Sequence, residues 1–260
     1  MNLLFKNTNV HFTSIGKGKV VVLIHGFLEN SAMWQEVAKE LSKKNKVICI
    51  DLLGHGQTGN LGYIHSMEDQ AHMVKALLNH MRLRKYALIG HSMGGYVALA
   101  FAKLFPENIK GLCLMNSTAL PDSEEKKTSR DRAIKAVKQN HKTFVRIVIP
   151  MLFSKKNREI FTNEIAQITN DALQMSTQGI VAALEGMKIR KNLTSIYKTA
   201  QFPIQLIIGK QDPTLDYDAT IFQTKNTNIK VIEFPDGHMS HVENKNELNA
   251  TLASFIQMLK

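Results

Sequence analysis

The stretch Tyr86-Ala87-Leu88-Ile89-Gly90-His91-Ser92-Met93-Gly94-Gly95-Tyr96-Val97 decides how this chain is read. Its first four residues form an apolar run of strand type. Val97, Phe101 and Leu104 recur at helical spacing and stop before Pro106. Between the two lies Gly90-His91-Ser92-Met93-Gly94, a Gly-x-Ser-x-Gly pattern in the strand-to-helix context that it requires. A strand that turns sharply into a helix leaves Ser92 on a strained backbone with its hydroxyl exposed. Side chains at positions 90 and 94 would collide with the crossing backbone. The helix N-terminus aims unpaired amides and a partial positive charge at the same point. These residues predict a serine nucleophile.

Working outward, the same alternation of strand and helix continues. Val20 to Ile24 is a continuous β-branched and aliphatic run ending at His25-Gly26, and Lys46 to Asp51 is another, followed by a glycine-rich loop from Gly54 to Gly59. Runs of this kind fit strands buried on both faces of a parallel sheet. Met33, Trp34, Val37, Ala38 and Leu41 make one helical stripe, and Met67, Ala71, Val74, Leu78 and Met81 make the next. Ile109 to Met115 is a further strand, the rhythm resumes at Ile204 to Ile208 and again at Ile229 to Phe234, and Leu248 to Leu259 closes the chain with an amphipathic helix. Asn2 to Ile15 reads as a hairpin around an Asn-Thr-Asn turn. The expectation is an α/β fold: a mostly parallel sheet of eight strands flanked by helices. From about Leu120 to Ala200 only helical patterns occur, with Ser123 before Glu124-Glu125 as one helix start and Ser154 as another cap candidate. The predicted organisation is a core of residues 1–119 and 202–260 with a helical cap, 120–201, inserted between them.

A serine hydroxyl needs a base, and the base needs an orienting acid that precedes it in the chain. Asp212 follows directly on the strand Ile204 to Ile208, and His238 follows the next one, so both sit at carboxyl ends of strands, where open α/β sheets place their sites. The order Ser92, Asp212, His238 is that of an acyl-transfer triad.

At this point the chain resembles an α/β-hydrolase. The resemblance covers the whole body and rests on four blocks: His25-Gly26-Phe27, Asp51-Leu52-Leu53-Gly54-His55-Gly56, the elbow from Gly90 to Gly95, and Gly237-His238 with Glu243. It implies that the inserted helices are a lid and that the residue after His25-Gly26 donates an oxyanion-hole amide. The physical argument agrees: the oxygen of a tetrahedral intermediate needs two convergent donors, and Phe27 N–H and Met93 N–H are the natural pair.

Other polar residues have plainer readings. His241 competes with His238 as the base, and a hydrogen-bonded loop histidine describes it better. Asp216 and Asp218 compete with Asp212, and helix capping or solvation accounts for them. His25, His55 and His91 lack metal-ligand spacing and read as loop hydrogen-bonding groups. Asp51 reads as the residue that holds its glycine loop.

The composition fits this picture. With 44% hydrophobic and 21% charged residues, 15 Gly and 6 Pro, the 260-residue chain is neither collagen, disordered nor coiled coil. Its net charge of +11 permits nucleic-acid or membrane-surface binding without establishing either. Seven of those charges fall in the insertion, which carries 15 Lys/Arg against 8 Asp/Glu. A solvated helix face explains them, and steering of anionic substrates is the functional alternative, with Lys135 and Lys138 in the densest stretch. Cys49 and Cys113 are too few for a disulfide framework, and family strand order puts two strands between them. No run approaches a membrane span and Met1 to Val10 lacks signal-peptide character, so the expected location is cytoplasmic.

The expected activity is hydrolysis of a small or medium carboxylic ester, thioester or lactone through an acyl-enzyme on Ser92, with no cofactor, metal, nucleic acid or membrane partner. The rivals are a C–C bond hydrolase, an enol-lactonase or a haloperoxidase-like enzyme of the same fold and, from another class, a small-molecule receptor with vestigial hydrolysis.

Overall fold

The computed structural model describes residues 1–259. The eight strands are β1 Asn2–Phe5, β2 Thr8–Ile15, β3 Lys19–Ile24, β4 Asn45–Ile50, β5 Tyr86–His91, β6 Ile109–Met115, β7 Ile204–Gly209 and β8 Lys230–Phe234. They lie in the order β1-β2-β4-β3-β5-β6-β7-β8, with β1–β2 and β2–β4 antiparallel and the remaining pairs parallel. The helices of the body are α1 Gln35–Leu41, α2 Met67–His80 and α3 Met93–Leu104. Between β6 and β7 come α4 Glu124–Met151, α5 Asn157–Ile160, α6 Thr162–Ala172, α7 Thr177–Lys188 and α8 Ile196–Thr199; α9 Tyr217–Phe222, α10 Ser240–Glu243 and α11 Lys245–Met258 complete the chain. No described helix is long and apolar enough to cross a membrane.

The period of two along the central strands divides the apolar residues between two cores. Val22, Ile24 and Leu88 face one layer, with α2 and α3. Val21, Leu23, Ala87 and Ile89 face the other, where Trp34, Leu41 and Phe255 of the opposite helices are buried. All of β5 and β7 is buried, which is why those runs show no polar alternation in sequence. Cys49 on β4 and Cys113 on β6 have β3 and β5 between them and are both free and buried, three strand spacings of about 4.8 Å apart. That is beyond disulfide reach.

Two local expectations need correction. The hairpin turn falls one residue earlier than Asn-Thr-Asn: Lys6 and Asn7 carry the positive φ values, 45° and 64°, and Thr8 already pairs with Phe5. Two consecutive left-handed residues match the twist that a two-residue hairpin needs. Ser154 does not cap α5, since its hydroxyl has no partner and its amide donates to Glu243. The basic helix α4 is broken at Asn140, an extended residue (φ −160°, ψ 91°) whose side chain accepts from Thr143 N–H and so starts a second helical segment.

The sheet positions the site. β4 lies on one side of β3 and β5 on the other, so the chain reverses direction across the sheet at β3/β5, and a crevice opens at the carboxyl ends of such a pair. Ile24 is paired with Gly90, so Gly26 and Ser92 leave the sheet side by side. Gly209 pairs with Phe234, which brings the loops carrying Asp212 and His238 to the same edge.

Candidate active site

Ser92 has φ 49° and ψ −116°, a left-handed backbone held by what surrounds it. Its amide donates to Met115 carbonyl (2.9 Å), its carbonyl accepts from Ser117 Oγ (2.8 Å), and α3 begins at the next residue. A Cβ on Gly90 would lie 2.3 Å from Gly94 carbonyl oxygen, and one on Gly94 would lie 2.3 Å from that of Ile24. Those clashes are the reason that the elbow needs glycine on both flanks.

Asp212 and His238 meet. His238 Nδ1 donates to Asp212 Oδ2 at 2.7 Å, with both side chains buried. Asp212 Oδ1 accepts from the Thr214 and Leu215 amides (2.8 and 3.2 Å) and from Thr214 Oγ1 (2.9 Å), while Asn116 Nδ2 donates to Oδ2 (3.0 Å). Burial raises the pKa of the Asp212 carboxyl, but the His238 charge and hydrogen bond, with Thr214 and Asn116, bring it down to about 2. Thr214 Oγ1 also lies 2.8 Å from His238 Nδ1. With Nδ1 fixed by Asp212 and Thr214, Nε2 is the nitrogen left to act. Ser92 and His238 line the same cavity, of about 140 Å³, although Ser92 Oγ makes no hydrogen bond among the described contacts. Such bonds commonly tighten only with substrate in place.

The opposite wall is built on Gly26 to Glu29. Leu28 takes φ 63°, a strained value for a leucine, and Glu29 N–H closes the turn on Gly26 carbonyl at 3.4 Å. Neither Phe27 N–H nor Met93 N–H has an acceptor among the described hydrogen bonds. Glu29 Oε2 accepts from Gly26 N–H and from His91 Nδ1, each at 2.7 Å, and His91 Nε2 donates to His238 carbonyl at 2.9 Å. A carbonyl accepts only, so Nε2 carries a proton. Facing a carboxylate, Nδ1 carries one too, which makes Glu29–His91 a buried ion pair. Burial opposes both charges, yet the His91 charge brings Glu29 down to about 2, and Glu29 raises His91.

His241 is not joined to Asp212. Its side chain is largely covered, with Nε2 3.8 Å from Glu29 Oε1, and loss of solvent around the ring lowers its pKa to about 4. Glu29, His91 and His241 place donor atoms within 4.8 Å of one another, but His91 has both nitrogens engaged, so two groups remain. Asp216 caps α9 through Ala219 N–H (2.9 Å). Asp51 accepts from the Ser31 and Gln57 amides (2.7 and 2.9 Å) and holds its glycine loop. His25 Nε2 accepts from Leu52 N–H (2.9 Å), and His55 bonds Leu53 carbonyl.

Three supporting groups, Thr214, Asn116 and Glu29, carry no sequence motif. Thr214 and Asn116 hold the acid, and Glu29 ties the Phe27 turn to the serine elbow. Glu243 Oε2 accepts from Gly237 N–H and Ser154 N–H, and Oε1 from Met239 N–H, which fixes the His238 loop. From the insertion, Lys126, Arg130, Val148, Leu152 and Met187 line the cavity.

Residues 19–245 match the alpha/beta hydrolase fold family, and the chain belongs to it. A thermophilic esterase from Thermogutta terrifontis superimposes with a TM-score of 0.90 at 27% identity, covering 99% of this chain and 97% of that one. The enol-lactonase from Burkholderia xenovorans superimposes with a TM-score of 0.91 at 21% identity, over 99% of this chain and 100% of that one. The (E)-2-((N-methylformamido)methylene)succinate hydrolase of Acinetobacter baylyi is 23% identical over 259 residues, 98% of this chain and 96% of its own length. Uncharacterized mycobacterial relatives are 36% identical over 106 residues, and the match spans 41% of this chain and 31% of theirs.

Proposed function

We propose that the protein is a serine hydrolase that cleaves small carboxylic esters through an acyl-enzyme on Ser92. The observation that carries this reading is the buried Asp212–His238 pair, joined at 2.7 Å, whose histidine lines one cavity with a serine held at positive φ. In the proposed cycle His238 Nε2 takes the Ser92 proton as Oγ attacks the carbonyl, then returns it to the leaving alcohol. Asp212 keeps Nδ1 protonated and stabilises the imidazolium. The developing oxyanion is received by Phe27 and Met93 N–H, whose strained flanks at Leu28 and Ser92 fix their direction. Water repeats the sequence on the acyl-enzyme.

Residues 120–201 act in this reading as a lid, a role supported by the five side chains they lend to the cavity wall. A space of about 140 Å³ takes a group roughly the size of benzene, which favours short acyl or alcohol parts. A lactone is the second reading, favoured by the likeness to an enol-lactonase. Turnover across nitrophenyl esters of increasing acyl length, beside a lactone and a C–C bond substrate, tests both. Fastest turnover with acetate to butanoate supports the ester reading, a preference for the lactone supports the second, and activity on the C–C substrate alone contradicts both.

A further inference from the structure

Resting on that reading of Ser92, we propose that the cavity selects substrates bearing a carboxylate, and that Lys126 and Arg130 of the insertion bind it. Among the cavity's charged groups, Glu29 and His91 neutralise each other and His238 belongs to the hydrolytic pair. Lys126 and Arg130 are what is left. They are four residues apart in the first turns of α4, the spacing that puts two side chains on one helix face.

Their charges are not cancelled. Lys126 Nζ donates to the Thr214 carbonyl at 2.7 Å, a neutral acceptor, and no described carboxylate lies within 4.0 Å of it. Arg130 pairs with Asp122 through Nε and Nη2, but the same carboxylate also receives Arg190 Nη1. Burial pushes Asp122 up, yet the two guanidiniums hold it ionised, so one negative charge serves two positive ones. Arg190 in turn lies 4.2 Å over the ring of Tyr96, another residue of the cavity wall. The three cations and Asp122 leave two positive charges in excess beside a largely apolar space. A half-buried cation with no counter-ion is costly, and an anion arriving in the cavity relieves that cost.

The anchor also has a direction. Lys126 holds the carbonyl of Thr214, whose hydroxyl touches both Asp212 and His238, so the cationic corner begins one residue from the base. The small cavity then requires the carboxylate to sit within a few bonds of the scissile carbonyl, as in a half-ester of a short diacid or a lactone acid. The other basic residues of α4 are different. Lys135 and Lys138 are exposed and absent from the cavity wall, so they contribute at most screened, long-range attraction.

The experiment pairs monoethyl succinate with ethyl pentanoate, read by proton release, together with calorimetric binding of succinate to Ser92→Ala. The wild type is expected to favour the half-ester in kcat/KM by about tenfold or more, with the difference mainly in KM. Lys126→Gln and Arg130→Gln should each reduce that ratio several-fold and weaken succinate binding in parallel. Arg130→Lys, which keeps the charge beside Asp122, should recover part of it, and Lys135→Gln should leave the ratio alone. Equal kcat/KM for the two esters, or a preference that survives both glutamine variants, overturns the anion subsite while the hydrolase reading stands. Succinate binding that depends on Lys126 and Arg130, with no turnover of either ester or of the nitrophenyl panel, supports the subsite and overturns the hydrolase reading instead.

Discussion

Two carboxylate–histidine pairs flank Ser92, and both measure 2.7 Å. Asp212–His238 stands on the loops after β7 and β8, and Glu29–His91 on the loop after β3 and the last residue of β5. Both carboxyls are buried, and both are held near a pKa of 2 by their histidine partners against the opposing effect of burial. The difference lies in the second ring nitrogen. In His91 it is spent on the carbonyl of His238, so that imidazole is a doubly donating strut between the turn Gly26 to Glu29 and the His238 loop. In His238 it faces the cavity. The same chemical pair is thus a scaffold in one place and a candidate base in the other, and the distinction is made by one backbone carbonyl.

Substitutions on the two sides should separate by orders of magnitude. Ser92→Ala and His238→Ala should each lower kcat on the order of a millionfold, and Asp212→Asn about 10⁴-fold by favouring the wrong tautomer, measured with the best nitrophenyl ester. A Glu29→Gln loss of the same size would erase the comparison. We expect Glu29→Gln instead to act mainly on stability, costing about 3 kcal/mol in a urea melt, because it leaves His91 buried without its counter-charge.

The pH dependence of that cost sharpens the point. Glu29 ionises near 2 in the fold against 4.5 ordinarily, so its contribution is present above about pH 4.5 and is lost as pH falls toward 2. His91 is raised from 6.5, so its contribution is complete below pH 6.5 and is lost as pH rises through its folded value. The stability difference between wild type and Glu29→Gln should therefore peak between about pH 4.5 and 6.5 and shrink on either side. A difference flat from pH 4 to 9 would mean that the pair is not ionised. Smallest of all, His241→Gln should change kcat by no more than a few-fold, since His241 packs edge-on against the His91 ring but makes no hydrogen bond to Asp212 or Ser92.

The body of the fold was legible because the central strands are apolar runs and the helices between them carry apolar stripes at helical spacing; β5, Ser92 and α3 could be read from twelve residues. Asp212 and His238 were legible as polar residues directly after such strands. Thr214, Asn116 and Glu29 were not, because each is one polar residue in a loop, and its role comes from a partner between 20 and 100 residues away. In the insertion, counting charges showed the excess of lysine and arginine but not which of them face inward. The bond from Lys126 to the Thr214 carbonyl and the sharing of Asp122 by Arg130 and Arg190 decide that, and both are tertiary facts.

The central claim is that Ser92 is a nucleophile activated by the pair with the free nitrogen. Its most direct test is the rate of covalent labelling by a fluorophosphonate, followed by intact mass and peptide mapping. The account predicts a single adduct on Ser92, none in Ser92→Ala, strong slowing in His238→Ala and Asp212→Asn, and near-normal labelling in His241→Gln. An adduct on another residue, or labelling of Ser92 that proceeds equally without His238, would contradict it.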